Sequence, residues 1–162
     1  MPLGSGELLA LAGMMGAGKS AVAALLGQAL GRRVVSTDAH LAARFQRPIP
    51  AIFAEEGEPA FRQAERELVA QLSGDLVVDL GGGAFCDPAS AAHLLRKGRV
   101  VFLDVSAAEA ARRIGAGSGR PLAASWEALR AARLPLYRRA HLTVAVDGLA
   151  PEAVARRILE SL

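Results

Sequence analysis

The feature that most constrains this chain is a glycine-rich segment, GMMGAGKS, at residues 13–20. It satisfies the pattern G-x-x-x-x-G-K-[ST] through Gly13, Gly18, Lys19 and Ser20. An apolar run at 8–12 precedes it and a helical pattern at 19–30 follows it, which is the strand–loop–helix context that the pattern requires. Such a loop turns backbone N–H groups toward one anion, and the helix N-terminus adds partial positive charge. The segment therefore predicts a site for the phosphates of a nucleotide.

The positions of this loop have separate expected roles. Lys19 is expected to reach the β- and γ-phosphates of ATP, and the Ser20 hydroxyl is expected to bind Mg²⁺. Glycines let the backbone approach phosphate oxygens without side chains in the way. The predicted ATP contacts in and beside the loop are Gly13, Gly16, Ala17, Gly18, Lys19, Ser20 and Ala21.

Short apolar runs alternate with longer helical patterns along the whole chain. This alternation is typical of βαβ units, which build parallel sheets. The predicted strands are residues 8–12, 33–36, 76–80, 100–105 and 142–146. The predicted helices are residues 19–30, 38–72 with breaks at Pro48, Pro50 and 57–59, then 89–97, 107–114, 125–140 and a last helix from Pro151. We predict one α/β domain over residues 1–162, with three layers and a five-stranded parallel sheet between helices.

Composition favours a soluble globular protein and argues against several other classes. Hydrophobic residues make up 52% of the chain and charged residues 22%, and the single cysteine excludes an internal disulfide. The N-terminus lacks a basic leader and is interrupted by glycines, so we expect no signal peptide or membrane span and a cytoplasmic location. The net charge is +3, but the arginines are scattered and aromatics are only 4%. We therefore predict no nucleic-acid partner.

Two absences narrow the class of nucleotide-binding protein. The chain contains no asparagine, so the N-K-x-D element with which GTPases read guanine is missing. Its 162 residues leave no room for the additional domains of motors or helicases. A compact kinase for a small molecule is the economical interpretation, and we expect it to be a monomer.

Such a kinase must hold an acceptor hydroxyl in line with the γ-phosphate, and three features fit this task. Asp38 lies just past the second predicted strand, where its carboxylate could bind a hydroxyl, cap the next helix, or do both. Arg62 follows the core residue Phe61, so its side chain is expected to point away from the core toward a neighbouring cleft. Alternatively, Arg62 only forms an ion pair with Glu58 or Glu65 along its helix. Residues 81–83 are three glycines at the end of the third strand, the edge where open α/β sheets bind ligands.

Taken in order, these motifs resemble those of the shikimate kinase family over nearly the whole chain. The matching segments are GMMGAGKS, TDAHL, FRQAE, GGG, GRVVFLDVS, GRPL and R-x-P-L-Y. The resemblance implies a P-loop kinase fold with a mobile lid at about residues 115–124. It also implies transfer of the ATP γ-phosphate to the 3-hydroxyl of shikimate, a step in aromatic amino-acid biosynthesis.

The same resemblance implies roles for individual residues. The implied shikimate contacts are Asp38, Arg62, Gly81, Gly82, Gly83 and Arg133. Arg62 and Arg133 would hold the carboxylate bidentately, and Asp38 would bind ring hydroxyls and act as the base. Arg120 in the lid would stabilise phosphate charge when the site closes, as a catalytic residue together with Lys19 and Asp38. Arg113 and Pro151 would flank the adenine of ATP.

One departure from the family pattern concerns the metal. Relatives often carry an acid at the position of Ser36, and that acid helps to hold the water shell of Mg²⁺. Asp79 ends the third predicted strand, and our hypothesis is that it takes over or supplements this contact. Two other functions stay open from sequence: a P-loop kinase for another small hydroxy acid such as gluconate, and a catalytically silent nucleotide-binding module.

Overall fold

Five parallel strands carry the fold, and a computed structural model describes residues 2–115 and 124–162 of the chain. The strands are β1 (Leu8–Ala12), β2 (Arg33–Ser36), β3 (Leu76–Asp79), β4 (Gly98–Asp104) and β5 (Leu142–Ala145). Their order in the sheet is β2-β3-β1-β4-β5, and every neighbouring pair is parallel. All five residues of the central strand β1 are buried, because helices cover both faces of a parallel sheet. The predicted five-stranded parallel sheet is confirmed.

Helices connect these strands and form the outer layers. They are α1 (Lys19–Leu30), α2 (Thr37–Phe45), α3 (Ile49–Glu56), α4 (Glu58–Ala70), α5 (Pro88–Lys97), α6 (Ala107–Gly115), α7 (Ala124–Tyr137) and α8 (Pro151–Ser161), with a short 3-10 helix at Ala84–Cys86. Helix α1 packs against α8, while α4 packs against α5. Within residues 2–115 and 124–162, no helix is both long enough and apolar enough to cross a membrane.

The helical stretch predicted at 38–72 is divided into three helices. Helix α2 ends where Gln46 adopts a left-handed conformation with φ of 56°. Helix α3 begins after Pro48 and ends at Gly57, whose φ of 87° suits glycine. Gly57 also precedes α4, and Pro59 lies in the first turn of that helix. Proline is tolerated there because a backbone N–H in the first turn would have no intrahelical partner. The proline and glycine signals therefore mark the real breaks.

Several element ends differ from the sequence prediction by one to three residues. Strand β3 ends at Asp79, one residue early, although Leu80 still donates its N–H to the Leu11 carbonyl at 3.2 Å. Strand β4 begins at Gly98 rather than at residue 100. Helix α7 ends at Tyr137, and the turn after it is held by a hydrogen bond from the Ala140 N–H to the Tyr137 carbonyl. Such shifts arise because turns continue the hydrogen bonding of an element past its regular end.

The buried apolar residues form two separate clusters. The main cluster surrounds the sheet and includes β1 and the inner faces of α1, α5 and α8. The second apolar cluster consists of Leu41, Ile52, Phe61, Ala64 and Leu68, from α2, α3 and α4. Residues 61, 64 and 68 share one face of α4 because they recur at helical spacing, whereas Leu72 packs in the main cluster. Helices α2 to α4 thus have a small core of their own beside the sheet.

Candidate active site

A cleft of about 680 Å³ opens where the carboxyl ends of the strands meet. Its walls come from the loop at 13–20, the three glycines after β3, and side chains of α2, α4 and α7. Ser36 on β2 and Leu11 on β1 are both paired in register with Asp79 on β3. The ends of three adjacent strands therefore lie at one level beneath the cleft, which has the size of a small-molecule site.

The phosphate loop takes a tight conformation that glycine permits. Gly13 has a φ of 150°, and a Cβ there would lie 2.7 Å from the Leu103 carbonyl oxygen. The Lys19 ammonium donates to the carbonyl oxygens of Gly13 at 2.7 Å and of Met14 at 3.2 Å. Burial lowers the pKa of Lys19, while the carboxylates of Asp79 and Asp38 act in the opposite direction. The ammonium is thus held over the loop, at the start of α1.

Ser20 and Asp79 form a pair of oxygen donors beside this loop. The Ser20 hydroxyl donates to Asp79 Oδ2 at 2.6 Å. Asp79 is 7% exposed, so its carboxylate faces the cleft floor rather than bulk solvent. A hydroxyl and a carboxylate are the kind of hard oxygen ligands that suit Mg²⁺, which is bound by one or two protein groups together with phosphates. The residues present therefore fit the metal.

The three glycines after β3 are the point where the predicted acceptor residues converge. A Cβ at Gly82 would lie 2.9 Å from Arg133 Nη1, and one at Gly83 would lie 2.6 Å from Arg62 Nη1. A Cβ at Gly81 would collide with the Asp38 carboxylate. Three charged side chains from α2, α4 and α7 thus each lie against one bare glycine. Any side chain at these positions would displace one of them.

Asp38 lies in the first turn of α2, but it does not cap that helix. The cap is Ser36, whose hydroxyl oxygen accepts the N–H of Ala39 at 3.2 Å. The capping alternative for Asp38 is therefore wrong, and its carboxylate is directed to the cleft. Burial raises the pKa of Asp38, and the nearby Lys19 ammonium works against this rise. Beside it, the Thr37 hydroxyl oxygen accepts the Gly81 N–H at 2.8 Å and ties α2 to the glycines.

Arg62 is held in the cleft wall by charge and by aromatic rings. Its Nη1 donates to Glu65 Oε1 at 2.8 Å, and its Nε lies 3.4 Å from Glu58 Oε1. Its Cζ lies 5.8 Å and 5.3 Å from the ring centroids of Phe53 and Phe61. The ion pairs considered as an alternative thus exist, and they hold the guanidinium at the cleft instead of withdrawing it.

Glu65 is the most buried charged partner in this wall. Its side chain is 1% exposed, and its Oε2 atom has no hydrogen-bond partner among the described residues. Burial raises the pKa of Glu65, whereas the bond to Arg62 acts to lower it. An acidic side chain with one free oxygen therefore sits directly behind the predicted carboxylate-binding arginine.

Arg113 and Pro151 lie together beside the phosphate loop. The Arg113 guanidinium donates to four carbonyl oxygens, those of Gly16, Ala17, Val146 and Leu149, at 3.0–3.3 Å. Its Nε donates to Glu109 at 3.0 Å. These in-plane bonds fix the guanidinium and leave its flat faces for stacking. Pro151 begins α8 two residues after Leu149, whose carbonyl oxygen binds Arg113.

Some predicted residues of this site lie outside the described part of the chain, and some residues that the structure places at the site were not predicted from sequence. Arg120 and the predicted lid, apart from its two end residues 115 and 124, lie outside the described part of the chain. Thr37, Glu65 and Tyr137 were not predicted as site residues. Each had a weak signal, since Thr37 adjoins Asp38, and Glu65 and Tyr137 follow predicted arginines at helical spacing.

A family model, the sequences of known proteins and solved structures all match this chain to the same family. The family model described as shikimate kinase matches residues 15–162. A shikimate kinase of Synechococcus sp. (strain RCC307) is 42% identical over 173 residues, covering 99% of this chain and 88% of that protein. The structure of shikimate kinase from Acinetobacter baumannii in complex with shikimate is 32% identical with a TM-score of 0.85, covering 96% of this chain and 92% of that one.

A more distant solved structure shares only the fold. A gluconokinase from Sinorhizobium meliloti 1021 is 21% identical with a TM-score of 0.61, covering 95% of this chain and 90% of that one. The same three-layer architecture therefore serves kinases with different acceptors, and the architecture alone does not identify the acceptor.

Proposed function

Because this chain belongs to the shikimate kinase family, it is an ATP-dependent phosphotransferase, and we propose that its cleft transfers the γ-phosphate to the 3-hydroxyl of shikimate. The observation that carries the proposal is the convergence of Asp38, Arg62 and Arg133 on the three glycines after β3. These groups share one cleft with the phosphate loop, so an acceptor bound among them faces the phosphate donor.

The charge and shape of the acceptor side fit a ring that carries a carboxylate. Arg62 and Arg133 offer two guanidinium groups, each of which matches a carboxylate bidentately. The rings of Phe53 and Phe61 line the same wall and pack at 4.7 Å between centroids. An apolar wall favours the face of a carbocycle over an open-chain polyol, which presents hydroxyls on every side. The site therefore supports shikimate over gluconate.

The side chains divide the reaction between them. The loop N–H groups and Lys19 would hold the β- and γ-phosphates, and Arg113 would stack on the adenine with Pro151 beside it. Asp38 would orient the attacking 3-hydroxyl and accept its proton on a carboxylate oxygen. Arg120 remains our predicted partner for the charge that develops on the transferred phosphate. Catalysis in such a site is mostly positioning together with stabilisation of charge.

Release of ADP from ATP tests this function directly. We expect fast release with shikimate, and only background release with gluconate or with no acceptor. The product with shikimate should carry one phosphate, on the 3-hydroxyl. Folded protein that releases ADP equally with and without shikimate would contradict the proposal, and release driven by gluconate would assign a different acceptor.

We propose in addition that Mg²⁺ binds at Ser20, with Asp79 as an outer-shell contact. When bound, this ion would neutralise negative charge on the phosphate oxygens. The 2.6 Å contact between Ser20 and Asp79 supports the proposal, since both oxygens already face the phosphate loop. Ser36, paired in register with Asp79, is engaged as the cap of α2 and carries no charge. Asp79 is therefore the acid that this chain offers for the metal.

Replacing Asp79 with alanine should weaken the dependence of nucleotide binding on Mg²⁺. In the parent protein, Mg²⁺ is expected to tighten ADP binding. The variant should lose about tenfold of that gain in affinity, because a charged outer-shell contact of the ion is removed. Calorimetric titration with ADP, with and without Mg²⁺, measures the effect without relying on turnover. Asp75→Ala is the matched control, since Asp75 lies just before β3 and pairs with Arg32 at the surface. Equal Mg²⁺ gains in both variants would overturn the assignment.

Replacing Arg62 with lysine should raise the KM for shikimate by about 10- to 100-fold, because a point charge cannot reproduce a bidentate contact. The KM for ATP should change little, since Arg62 lines the acceptor wall rather than the phosphate loop. Arg66→Lys serves as control, because Arg66 lies one turn further along α4 and binds Asp87. Steady-state kinetics with each substrate varied in turn would show the effect, and a parallel rise in both KM values would contradict it.

We propose a monomer that acts in the cytoplasm without a nucleic-acid partner. Of the four exposed large apolar side chains in the described residues, Met15, Ile114 and Leu129 line the cleft and Val34 lies on β2. These apolar groups are better explained by substrate binding than by a subunit interface. Size-exclusion chromatography with light scattering would test the monomer.

A further inference from the structure

Tyr137 is a buried polar residue for which the proposed reaction gives no role. It is the last residue of α7, it is fully buried, and its ring stacks on Phe102 at 4.8 Å between centroids. Its hydroxyl donates a hydrogen bond to the Gly82 carbonyl and lies 3.6 Å from the Met14 sulfur. One hydroxyl therefore touches both the glycines of the acceptor side and the phosphate loop.

Arg133 precedes Tyr137 by one helical turn and shares the same neighbours. Its Nη1 lies 3.8 Å from the Met14 sulfur, which is a weak acceptor, and its guanidinium also interacts with the Tyr137 hydroxyl. The same nitrogen would lie 2.9 Å from a Cβ at Gly82, so the guanidinium passes directly over that residue. A cationic donor is thus held against the residue whose carbonyl oxygen accepts the Tyr137 hydroxyl.

A backbone carbonyl is a much better acceptor for a guanidinium than a thioether sulfur is. The Gly82 carbonyl belongs to a peptide between two glycines, whose dihedral angles are the least restricted of any residue. If its present donor were lost, this peptide could turn toward Arg133 at little steric cost. The peptide is planar, so the Gly83 N–H would turn with it and away from the acceptor.

We infer that Tyr137 is a positioning residue: its hydroxyl occupies the Gly82 carbonyl and so leaves the Arg133 guanidinium available for the carboxylate of the acceptor. The inference rests on the proposed function, because it assumes that the acceptor carries a carboxylate. Burial raises the pKa of Tyr137 to about 12, so the phenol stays protonated, and therefore a donor, throughout the physiological range of pH.

The two arginines of the acceptor site are thus prepared in different ways. Arg62 is held by the carboxylate of Glu65 and by two rings. Arg133 has no such carboxylate among the described residues, and its availability depends on a neighbour that satisfies the competing carbonyl. A change at Tyr137 should therefore act on binding of the acceptor carboxylate and not on the nucleotide.

Tyr137→Phe tests the inference, because it removes the hydroxyl and keeps the ring. Calorimetry with shikimate alone should show about tenfold weaker binding, while ADP affinity and melting temperature stay close to those of the parent. Shikimate methyl ester, which lacks the negative charge, should lose far less affinity than shikimate. Phe102→Leu is the packing control: it disturbs the same ring stack and should lower the melting temperature without selecting between acid and ester.

A double-mutant cycle separates this role from a merely structural one. In an Arg133→Ala background, Tyr137→Phe should have little further effect on shikimate affinity, because the residue through which it acts is gone. Full additivity of the two changes, or equal losses for acid and ester, would overturn the inference. Shikimate binding by the parent protein is measured separately, and if the parent does not bind shikimate, the proposed function is wrong. If the parent and Tyr137→Phe bind shikimate equally well, only the role of Tyr137 is refuted.

Discussion

Replacing Lys19 with methionine should lower turnover by about 10³-fold, which is the scale expected when a positioned charge is removed from a phosphoryl-transfer site. Lys19 donates to the carbonyl oxygens of Gly13 and Met14, so its ammonium already lies over the loop that would receive the phosphates. Methionine keeps the length of the side chain and loses the charge. Turnover is measured as ADP release dependent on shikimate, and thermal unfolding confirms that the variant is folded.

The sequence supplies a matched control for this experiment. Lys97 is the other lysine of the chain, and it is exposed at the end of α5. Lys97→Met should therefore leave turnover within about twofold of the parent, as substitutions at exposed positions usually do. A loss of less than tenfold for Lys19→Met would show that the loop does not act on the transferred phosphate.

Replacing Asp38 with asparagine should lower kcat by about 10²- to 10³-fold, the range typical of a lost general base. Asparagine keeps the size of the side chain and can still bind a hydroxyl, so the KM for shikimate should change much less than kcat. A rise in the KM for shikimate with unchanged kcat would instead assign Asp38 to binding alone. Single-turnover kinetics with saturating ATP would separate the chemical step from product release.

The pH profile gives a second check on Asp38. Burial raises its pKa above the ordinary value for an aspartate, so its carboxylate takes up a proton at a higher pH than an exposed one would. Since the base must be ionised, turnover should fall on acidification, and it should start to fall at a higher pH than an exposed aspartate would give. The residual activity of Asp38→Asn should lack this acidic limb. An unchanged limb in the variant would mean that another group controls it.

The features that could be predicted from the sequence are those that residues close together along the chain determine. The phosphate loop, the glycines at 81–83 and the five strands could all be predicted, because each is encoded by a local pattern. The breaks between α2, α3 and α4 followed from Pro48 and Gly57 for the same reason. Element ends were less certain, because hydrogen bonding such as that of Leu80 to Leu11 extends past the regular strand.

Contacts between distant segments were what the sequence could not supply. The bond from Tyr137 to Gly82 joins residues 55 positions apart, and the bond from Ser20 to Asp79 spans 59. Asp79 could be suggested from its place at a strand end, but its hydroxyl partner required the packing of α1 against β3. The sequence analysis considered Asp38 as a cap of α2, but Ser36 caps this helix; both residue types cap helices, and the choice depends on the packing around each side chain.

The separation of the two apolar clusters bears on how this fold acquires new specificities. Helices α2 to α4 pack around the second apolar cluster, and they contribute Asp38 and Arg62 to the acceptor side. The phosphate loop instead rests on the main cluster with β1 and α1. Substitutions around Asp38 and Arg62 therefore fall in a region that has an apolar core of its own beside the sheet. Changes there are expected to alter acceptor preference with less effect on the packing beneath the phosphate loop.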